Sequence, residues 1–384
     1  MACHDDYCKL QSPLSHWNLE NKSVFVRADL NVPLQNGKIL DDSRLQAIRP
    51  TLDYILEQGG RITIGTHIGR PQGFEQELST NPIRQWLDAQ GYDTRITLLE
   101  NLRFSLEEQA RNPLFAQELA QGIDYYIDDA FASLHDTDTS LTLLPNLFDA
   151  QHKGIGFLVE RELQTLSAIK YTAEQPYLWI LGGGKAARKL PYLETLLRSD
   201  HNRVTDIMLC PGLSWPFWHL AQEKKRHTIS PEQELLVHHA KTIIDLAQQK
   251  KVTLHVPQDY LVGTDGWNGK FVTKKAGNVS EDDTMIAIGP DTVKLWSPLI
   301  MQAKTIFFNG PMGDLEQPET IETLKAVLQV ITQSNAISIV GGGNSHAALQ
   351  LFGLANAINF YSTGGGSTLA YLSGQKLPAL DALL

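Results

Sequence analysis

The feature that most constrains this chain is a rhythm of short apolar runs, each stopped by glycine or a charged residue and followed by a helix-period segment. Ser23–Ala28 (SVFVRA) is the first run, Asn36 and Gly37 form a turn signal, and residues 43–58 carry helical periodicity that ends at Gly59 and Gly60. Residues 61–66 (RITIGT), 96–99 and 125–127 follow as strands between helix-like stretches. Such alternation predicts a parallel sheet covered by helices, because parallel neighbours need a long crossover between them. Residues 156–171 (GFLVERELQTLSAIKY) then read as one amphipathic helix with no turn signal inside it. Beyond it the rhythm restarts at Tyr177–Leu181, 207–209, 253–256, 305–308 and 336–340. At 384 residues the chain exceeds what one ordinary core supports. The expected fold class is therefore α/β, with two three-layer domains, 1–155 and 172–361, joined by a hinge helix at 156–171.

Composition removes several functions. With 42% hydrophobic and 20% charged residues the chain can bury a core. A formal net charge of −10 opposes general nucleic-acid binding, since nothing offsets phosphate repulsion. No run of eighteen apolar residues suggests a membrane span, and the start MACHDDYCKLQS lacks the apolar stretch of a secretory signal. Three cysteines, Cys3, Cys8 and Cys210, suit reduced thiols in a cytoplasm. Cys3, His4 and Cys8 lack a second ligand pair at zinc spacing, so they read as a frayed terminus. The run from Lys224 to His227 reads as solvated surface.

Three glycine clusters stand at strand ends: Gly182, Gly183 and Gly184 before Lys185; Gly341, Gly342 and Gly343 before Asn344; and Gly364, Gly365 and Gly366 after Ser362 and Thr363. Ligands of open α/β sheets bind beyond the carboxyl ends of strands. Glycines there let backbone N–H groups approach phosphate oxygens, and the following helix adds its dipole. Neither nucleotide fingerprint fits: Trp179 and Ala186 break the G-x-x-x-x-G-K-[ST] pattern, and no G-x-G-x-x-G follows a strand. Lys185 and Lys189, four apart, are expected on one helical face, where a shared anion would relieve their repulsion. The first half has its own cations just after strands: Arg27, Arg44, His67, Arg70 and Arg103. In an acidic chain this placement predicts a pocket for a small, multiply charged anion.

The order of motifs resembles the phosphoglycerate kinase family across nearly the whole chain. The matching stretches are VRADLNVPL (26–34), DDSRL (41–45), GTHIGRPQG (65–73), LLENLRF (98–104) and DDAFASLH (128–135). LGGGK (181–185), IGPDTVKL (288–295), FFNGPMGDLE (307–316), SIVGGGNS (338–345) and STGGGSTL (362–369) follow in the same order. The resemblance implies phosphoryl transfer between 1,3-bisphosphoglycerate and ADP with Mg²⁺, a glycolytic reaction, across a cleft between two Rossmann-like domains in a cytoplasmic monomer. It implies that Asp29, Asn31, Arg44, His67, Arg70 and Arg103 hold the phosphoglycerate. Arg44, Lys185 and Lys189 would act at the transferring phosphoryl group. Gly183, Lys189, Gly212, Gly341, Gly342, Gly343, Asn344 and Ser345 would hold the nucleotide, with Asn309 and Pro311 beside it and Glu316 on the ribose. Gly364, Gly365 and Gly366 would form a further phosphate loop, and residues 362–384 would return to the N-terminal domain.

Several positions depart from the family pattern. The Mg²⁺-nucleotide ligand, Asp in the family, is Asn344. The family's G-T-A-H-R is ASLHD, which puts Asp136 where an arginine of the basic patch belongs. The lysine loop, ordinarily G-G-A-K-V-S-D-K, carries Gly184, Ala186, Ala187 and Arg188. Cys210, Pro211, Gly212 and Leu213 stand for a glycine-rich nucleotide loop, and Ala370 replaces a carboxylate. Asn344 keeps an oxygen for a metal but suits a hard cation less well than a carboxylate. Asp136 is a two-unit charge swing beside an anion. Three readings follow: a working kinase, a paralogue that binds nucleotide or an organic phosphate without efficient turnover, and a phosphotransferase for another acid.

Overall fold

The structure, a computed structural model, describes residues 7, 10–92, 94–222, 229–267 and 269–384. Cys3, His4, Cys8 and the run from Lys224 to His227 lie outside the described residues. The chain forms two compact units, Met1–Ser167 with Lys376–Leu384, and Ala168–Gln375.

The first unit is built on five parallel strands in the order β5-β4-β1-β6-β7: β1 Ser23–Ala28, β4 Arg61–Gly65, β5 Ile96–Leu98, β6 Tyr125–Asp129 and β7 Lys153–Ile155. A small hairpin, β2 Leu34–Gln35 and β3 Lys38–Ile39, interrupts the first crossover. Its turn residues Asn36 and Gly37 have φ of 50° and 72°, the left-handed pair a two-residue hairpin requires. Strand alternation sorts β1 cleanly. Val24, Val26 and Ala28 enter one aliphatic core with Ile48, Leu52, Ile64 and Ile127. Phe25 and Arg27 therefore project from the other face, where Phe25 stacks on Tyr126. Register sets Arg27 opposite Gly65 of β4 and Asp128 of β6, so the strand ends are level.

The second unit has six parallel strands in the order β10-β9-β8-β14-β15-β16: β8 Tyr177–Leu181, β9 Asp206–Leu209, β10 Thr253–His255, β14 Thr305–Asn309, β15 Ile337–Gly341 and β16 Phe360–Ser362. β8 and β14 are buried at every residue, as continuous apolar runs in a parallel sheet should be. A separate antiparallel sheet joins β11 Asp259–Trp267, β12 Phe271–Lys275 and β13 Thr284–Ile288.

The helix Phe157–Thr172 carries the division between the units. Its start is capped from a distance: Asp129 Oδ1 accepts the Val159 N–H at 3.0 Å, and its other oxygen accepts the Thr51 hydroxyl at 2.6 Å. A Cβ on Gly156 would lie 2.2 Å from Asp129 Cγ, so this close approach needs glycine. Residues 376–384 belong to the first unit, held by Leu377 N–H on the Tyr7 hydroxyl and by Lys153 Nζ on the Ala382 carbonyl. The glycine loop at 362–366, expected to return with them, stays in the second unit. β16 pairs with β15, which ties the loop to that sheet.

Candidate functional site

In the first unit the strand ends deliver Asp29 and Asn31 after β1, and His67 and Arg70 after β4. Arg103 lies in the short turn Leu102–Phe104 beyond β5, and Arg44 in the first turn of Ser43–Glu57. Asn31 Oδ1 accepts the Gly69 N–H at 3.0 Å, and the Asp29 carboxylate is paired with Arg44. His67 is buried, and its Nδ1 lies 3.0 Å from Arg27 Nη2. A guanidinium can only donate, so Nδ1 accepts and the ring proton sits on Nε2. Burial holds the His67 pKa well below its ordinary value, and the charges of Arg27, Arg103, Arg44 and Arg70 lower it further. The imidazole is a neutral N–H donor that touches Arg27 and lies in the field of three further arginines.

Behind it runs a buried chain that sequence reasoning missed. Arg27, with no exposed surface, donates from Nε to Ser140 Oγ at 2.8 Å and from Nη1 to the Ala28 carbonyl at 2.7 Å. Ser140 Oγ donates to Glu108 Oε1 at 2.5 Å, and the Ser140 N–H donates to Oε2 at 3.0 Å. Burial raises the Glu108 pKa, while the Arg27 charge and the Ser140 hydrogen bonds draw it back. The chain Glu108–Ser140–Arg27–His67 fixes the imidazole's tautomer and orientation. Only distance in sequence hid it, since 113 residues separate Arg27 from Ser140.

The cations are less free than their placement after strands suggested. Arg103 meets two carboxylates, Asp138 through Nε at 2.9 Å and Asp136 through Nη2 at 3.1 Å, and it also donates to the Gly69 carbonyl at 3.3 Å. Four guanidiniums in a largely buried site need local counter-charge, because an unpaired buried charge is costly. Arg70 is exposed and has no hydrogen-bond or ion-pair partner among the described residues.

In the second unit the glycine clusters stand at the carboxyl ends of β8, β15 and β16. Four helices start directly beyond strands: Pro211–Ala221 after β9, Ala186–Arg198, Gly343–Leu351 and Gly366–Ser373. None has a side-chain N-cap or an acidic residue in its first turn, so their first N–H groups and dipoles are left for an anion. Gly183 has φ of 79° and Gly342 of 95°. A Cβ on Gly212 would lie 2.5 Å from the Gly183 carbonyl oxygen, so two of the loops touch backbone to backbone.

Polar side chains tie these loops together. Asn309 Nδ2 donates to the carbonyls of Gly341 at 3.1 Å and Gly365 at 3.2 Å, and Ser345 Oγ accepts the Gly310 N–H at 3.0 Å. Lys189 Nζ donates to the carbonyls of Gly182 at 2.6 Å and Asn309 at 3.1 Å. Burial lowers its pKa to about 8, with the Lys185 charge adding to the fall. Lys185 is the N-cap residue rather than part of the helix, so the two lysines do not share a regular helical face. Lys185 and Arg188 are both exposed.

A cleft of about 390 Å³ is lined by Trp267, Pro311, Gly313, Asp314, Leu315, Glu316 and Asn344. It gathers three expected nucleotide residues, Pro311, Glu316 and Asn344, and adds Trp267 and Asp314, which the sequence had not singled out. Asn309 and Ser345 do not line it. Among the described residues no three His, Cys, Asp or Glu side chains form a ready metal centre. Asn344, Asp314 and Glu316 nevertheless bring one carboxamide and two carboxylates to one cleft.

The family model described as phosphoglycerate kinase matches residues 14–92 and 89–375. The chain belongs to the phosphoglycerate kinase family. Its relatives include the phosphoglycerate kinases of Thermomicrobium roseum, 33% identical over 95% of this chain and 97% of the other, and of Bdellovibrio bacteriovorus, 34% identical over 96% of each. The solved phosphoglycerate kinase of Coxiella burnetii superposes with a TM-score of 0.75 at 31% identity, covering 96% of this chain and 97% of the other. That of Pyrococcus horikoshii gives 0.78 at 29% identity, covering 96% and 98%. Within the phosphoglycerate kinase family, then, this chain has the two-unit fold, and its Arg103 is held by two carboxylates. No helix among the described residues is long and apolar enough to cross a membrane.

Proposed function

We propose that the protein catalyses reversible phosphoryl transfer between 1,3-bisphosphoglycerate and ADP, giving 3-phosphoglycerate and ATP, as a cytoplasmic monomer. The observation that carries this reading is the set of four guanidiniums around neutral His67 in a member of this family. Asp29, Asn31, Arg44, His67, Arg70 and Arg103 would hold the acid, with the His67 Nε2–H as a donor that keeps its proton. The glycine loops and uncapped helices of the second unit would hold the nucleotide phosphates, and the cleft with Pro311, Glu316 and Asn344 would take the nucleoside side, Glu316 on the ribose.

In the acid-phosphorylating direction a carboxylate oxygen of 3-phosphoglycerate bonds to the γ-phosphorus of ATP. The bond from that phosphorus to the β–γ bridging oxygen breaks, and ADP leaves with the electron pair. No strong base is needed, because the attacking carboxylate is already ionised. Catalysis rests on positioning and charge neutralisation. Arg44, Lys185 and the Lys189 ammonium would supply positive charge to the transferring group. Mg²⁺, when bound, would supply charge neutralisation to the nucleotide phosphates, and the Asn344 carboxamide oxygen, a hard, neutral donor, would help to hold it.

A second reading, a paralogue that binds both substrates but turns over slowly, is favoured by one observation: Arg103 is engaged by Asp136 and Asp138. A steady-state assay with 3-phosphoglycerate and MgATP, coupled to detection of the acyl phosphate, separates the two. Turnover in the ordinary kinase range of roughly 1–100 s⁻¹ supports the first reading. Binding of both substrates with turnover about a hundredfold or more below that range supports the second.

A further inference from the structure

Asp136 has no evident place in a site for a multiply charged anion, yet its surroundings give it one. It follows the turn Phe131–Ser133, where its own N–H donates to the Ser133 carbonyl at 2.8 Å. Its Oδ2 accepts from Arg103 Nη2 at 3.1 Å, on a guanidinium whose side chain is only 8% exposed. Asp138 takes the inner edge of the same group, with one oxygen 2.9 Å from Nε and 2.8 Å from Nη2.

The two carboxylates are held differently. Asp138 is the N-cap residue of Thr139–Thr142, its carbonyl accepts the N–H groups of Leu141 and Thr142 at 3.0 Å, and its side chain is 10% exposed. It is a fixed counter-charge. Asp136 is 29% exposed, and besides Arg103 it has His135 Nε2 at 3.8 Å from Oδ1, a longer contact. Its contact with Arg103 is therefore the exchangeable one of the pair. Arg103 has five N–H groups in a rigid fork; Asp138 takes the Nε–Nη2 edge, so a phosphate or carboxylate that bridges Nη1 and Nη2 needs the Nη2–H that Asp136 holds.

We infer that Asp136 is a resident competitor for the anion site: its carboxylate and an acidic substrate bind Arg103 in turn, so residue 136 sets both the affinity and the charge preference of the pocket. The class of acid, a phosphorylated carboxylate, rests on the kinase reading above. The competition acts as a charge filter. Repulsion from the Asp136 carboxylate, displaced but still nearby, scales with the charge of the incoming group, so a phosphate dianion is penalised more than a monoanion at the same place. Around it Arg44 is already paired with Asp29 and Arg103 with Asp136 and Asp138, and Glu108 stands behind Arg27 through Ser140. Little uncompensated positive charge remains beyond Arg70.

Calorimetric binding of 3-phosphoglycerate and of inorganic phosphate to the full chain tests this without turnover. Asp136→Asn and Asp136→Ser should each bind both anions about tenfold or more tighter than the natural chain. That is the low end for removing a unit charge about 6 Å away at an effective dielectric of about 20. Asp136→Glu, which keeps the charge, should stay within about threefold of the natural chain. No tightening in either neutral variant, including no measurable binding by any of the proteins, overturns the inference. A gain in the variants of a chain that never forms the acyl phosphate sinks the kinase reading and leaves the competition standing. An active chain without the gain does the reverse.

Discussion

Lys189 lets the proposed hold of the second unit on phosphate be tested by pH alone. Its ammonium is drawn onto the carbonyls of Gly182 and Asn309, and burial brings its pKa down from 10.5 to about 8. A shift of that size is about 3 kcal/mol of preference for the neutral amine. The group is then about nine-tenths protonated at pH 7 and about one-tenth at pH 9. A polyphosphate favours the ammonium, so above pH 8 binding must also take up a proton. The apparent Kd for MgADP should therefore be nearly flat up to about pH 7.5 and rise towards tenfold per pH unit between about 8.5 and 10. Stability carries its own sign: a base with a lowered folded pKa disfavours the protonated fold, so its contribution grows as pH rises from about 8 towards 10.5. Titrating MgADP into the natural chain and Lys189→Gln from pH 7 to 9.5 provides the assay. A Kd that stays within about twofold in the natural chain, or that rises equally in Lys189→Gln, would refute the placement of this ammonium on the nucleotide phosphates.

Two further outcomes are expected. Ser140→Ala breaks the bridge between Arg27 and Glu108, leaving buried polar groups short of a partner at a cost of about 1–3 kcal/mol. Steady-state kinetics should then show a raised KM for 3-phosphoglycerate with KM for MgATP unchanged; equal changes in both would mean the chain does not act through His67. Asn344→Asp should tighten binding of MgADP but not of metal-free ADP, because a carboxylate improves only the metal's ligand set. Calorimetry of the two forms decides it, and equal effects on both would place residue 344 away from the ion.

The strand framework was legible because parallel strands buried on both faces read as continuous apolar runs with sharp ends. Ser23–Ala28 and Tyr177–Leu181 are strands at the boundaries their sequences indicate. The sheet of β11, β12 and β13 was not legible: Gly263 and Gly266 interrupt β11, and none of the five residues of β12 is buried, three of them being polar. β16 escaped notice for a related reason, having three residues of which only Ser362 is buried. Site residues were legible as positions just after strands, but their partners were not. Asn309 stands beside Pro311 in sequence, yet its amide bridges Gly341 and Gly365 rather than lining the cleft with its neighbour. Asp136 was conspicuous as a charge reversal, whereas Asp138, two residues on, was passed over although it is the firmer partner of Arg103. Such pairings are made by the fold across tens of residues, where spacing carries no signal.

The proposed function divides the two sets of strand ends between the acid and the nucleotide. Hydrogen exchange read by mass spectrometry, with one ligand at a time, tests it most directly. 3-Phosphoglycerate alone should slow exchange at residues 29–31, 65–73 and 101–104, and MgADP alone at 182–189, 341–345 and 362–368. Protection by MgADP in the first unit, or by 3-phosphoglycerate at the glycine loops, would contradict it.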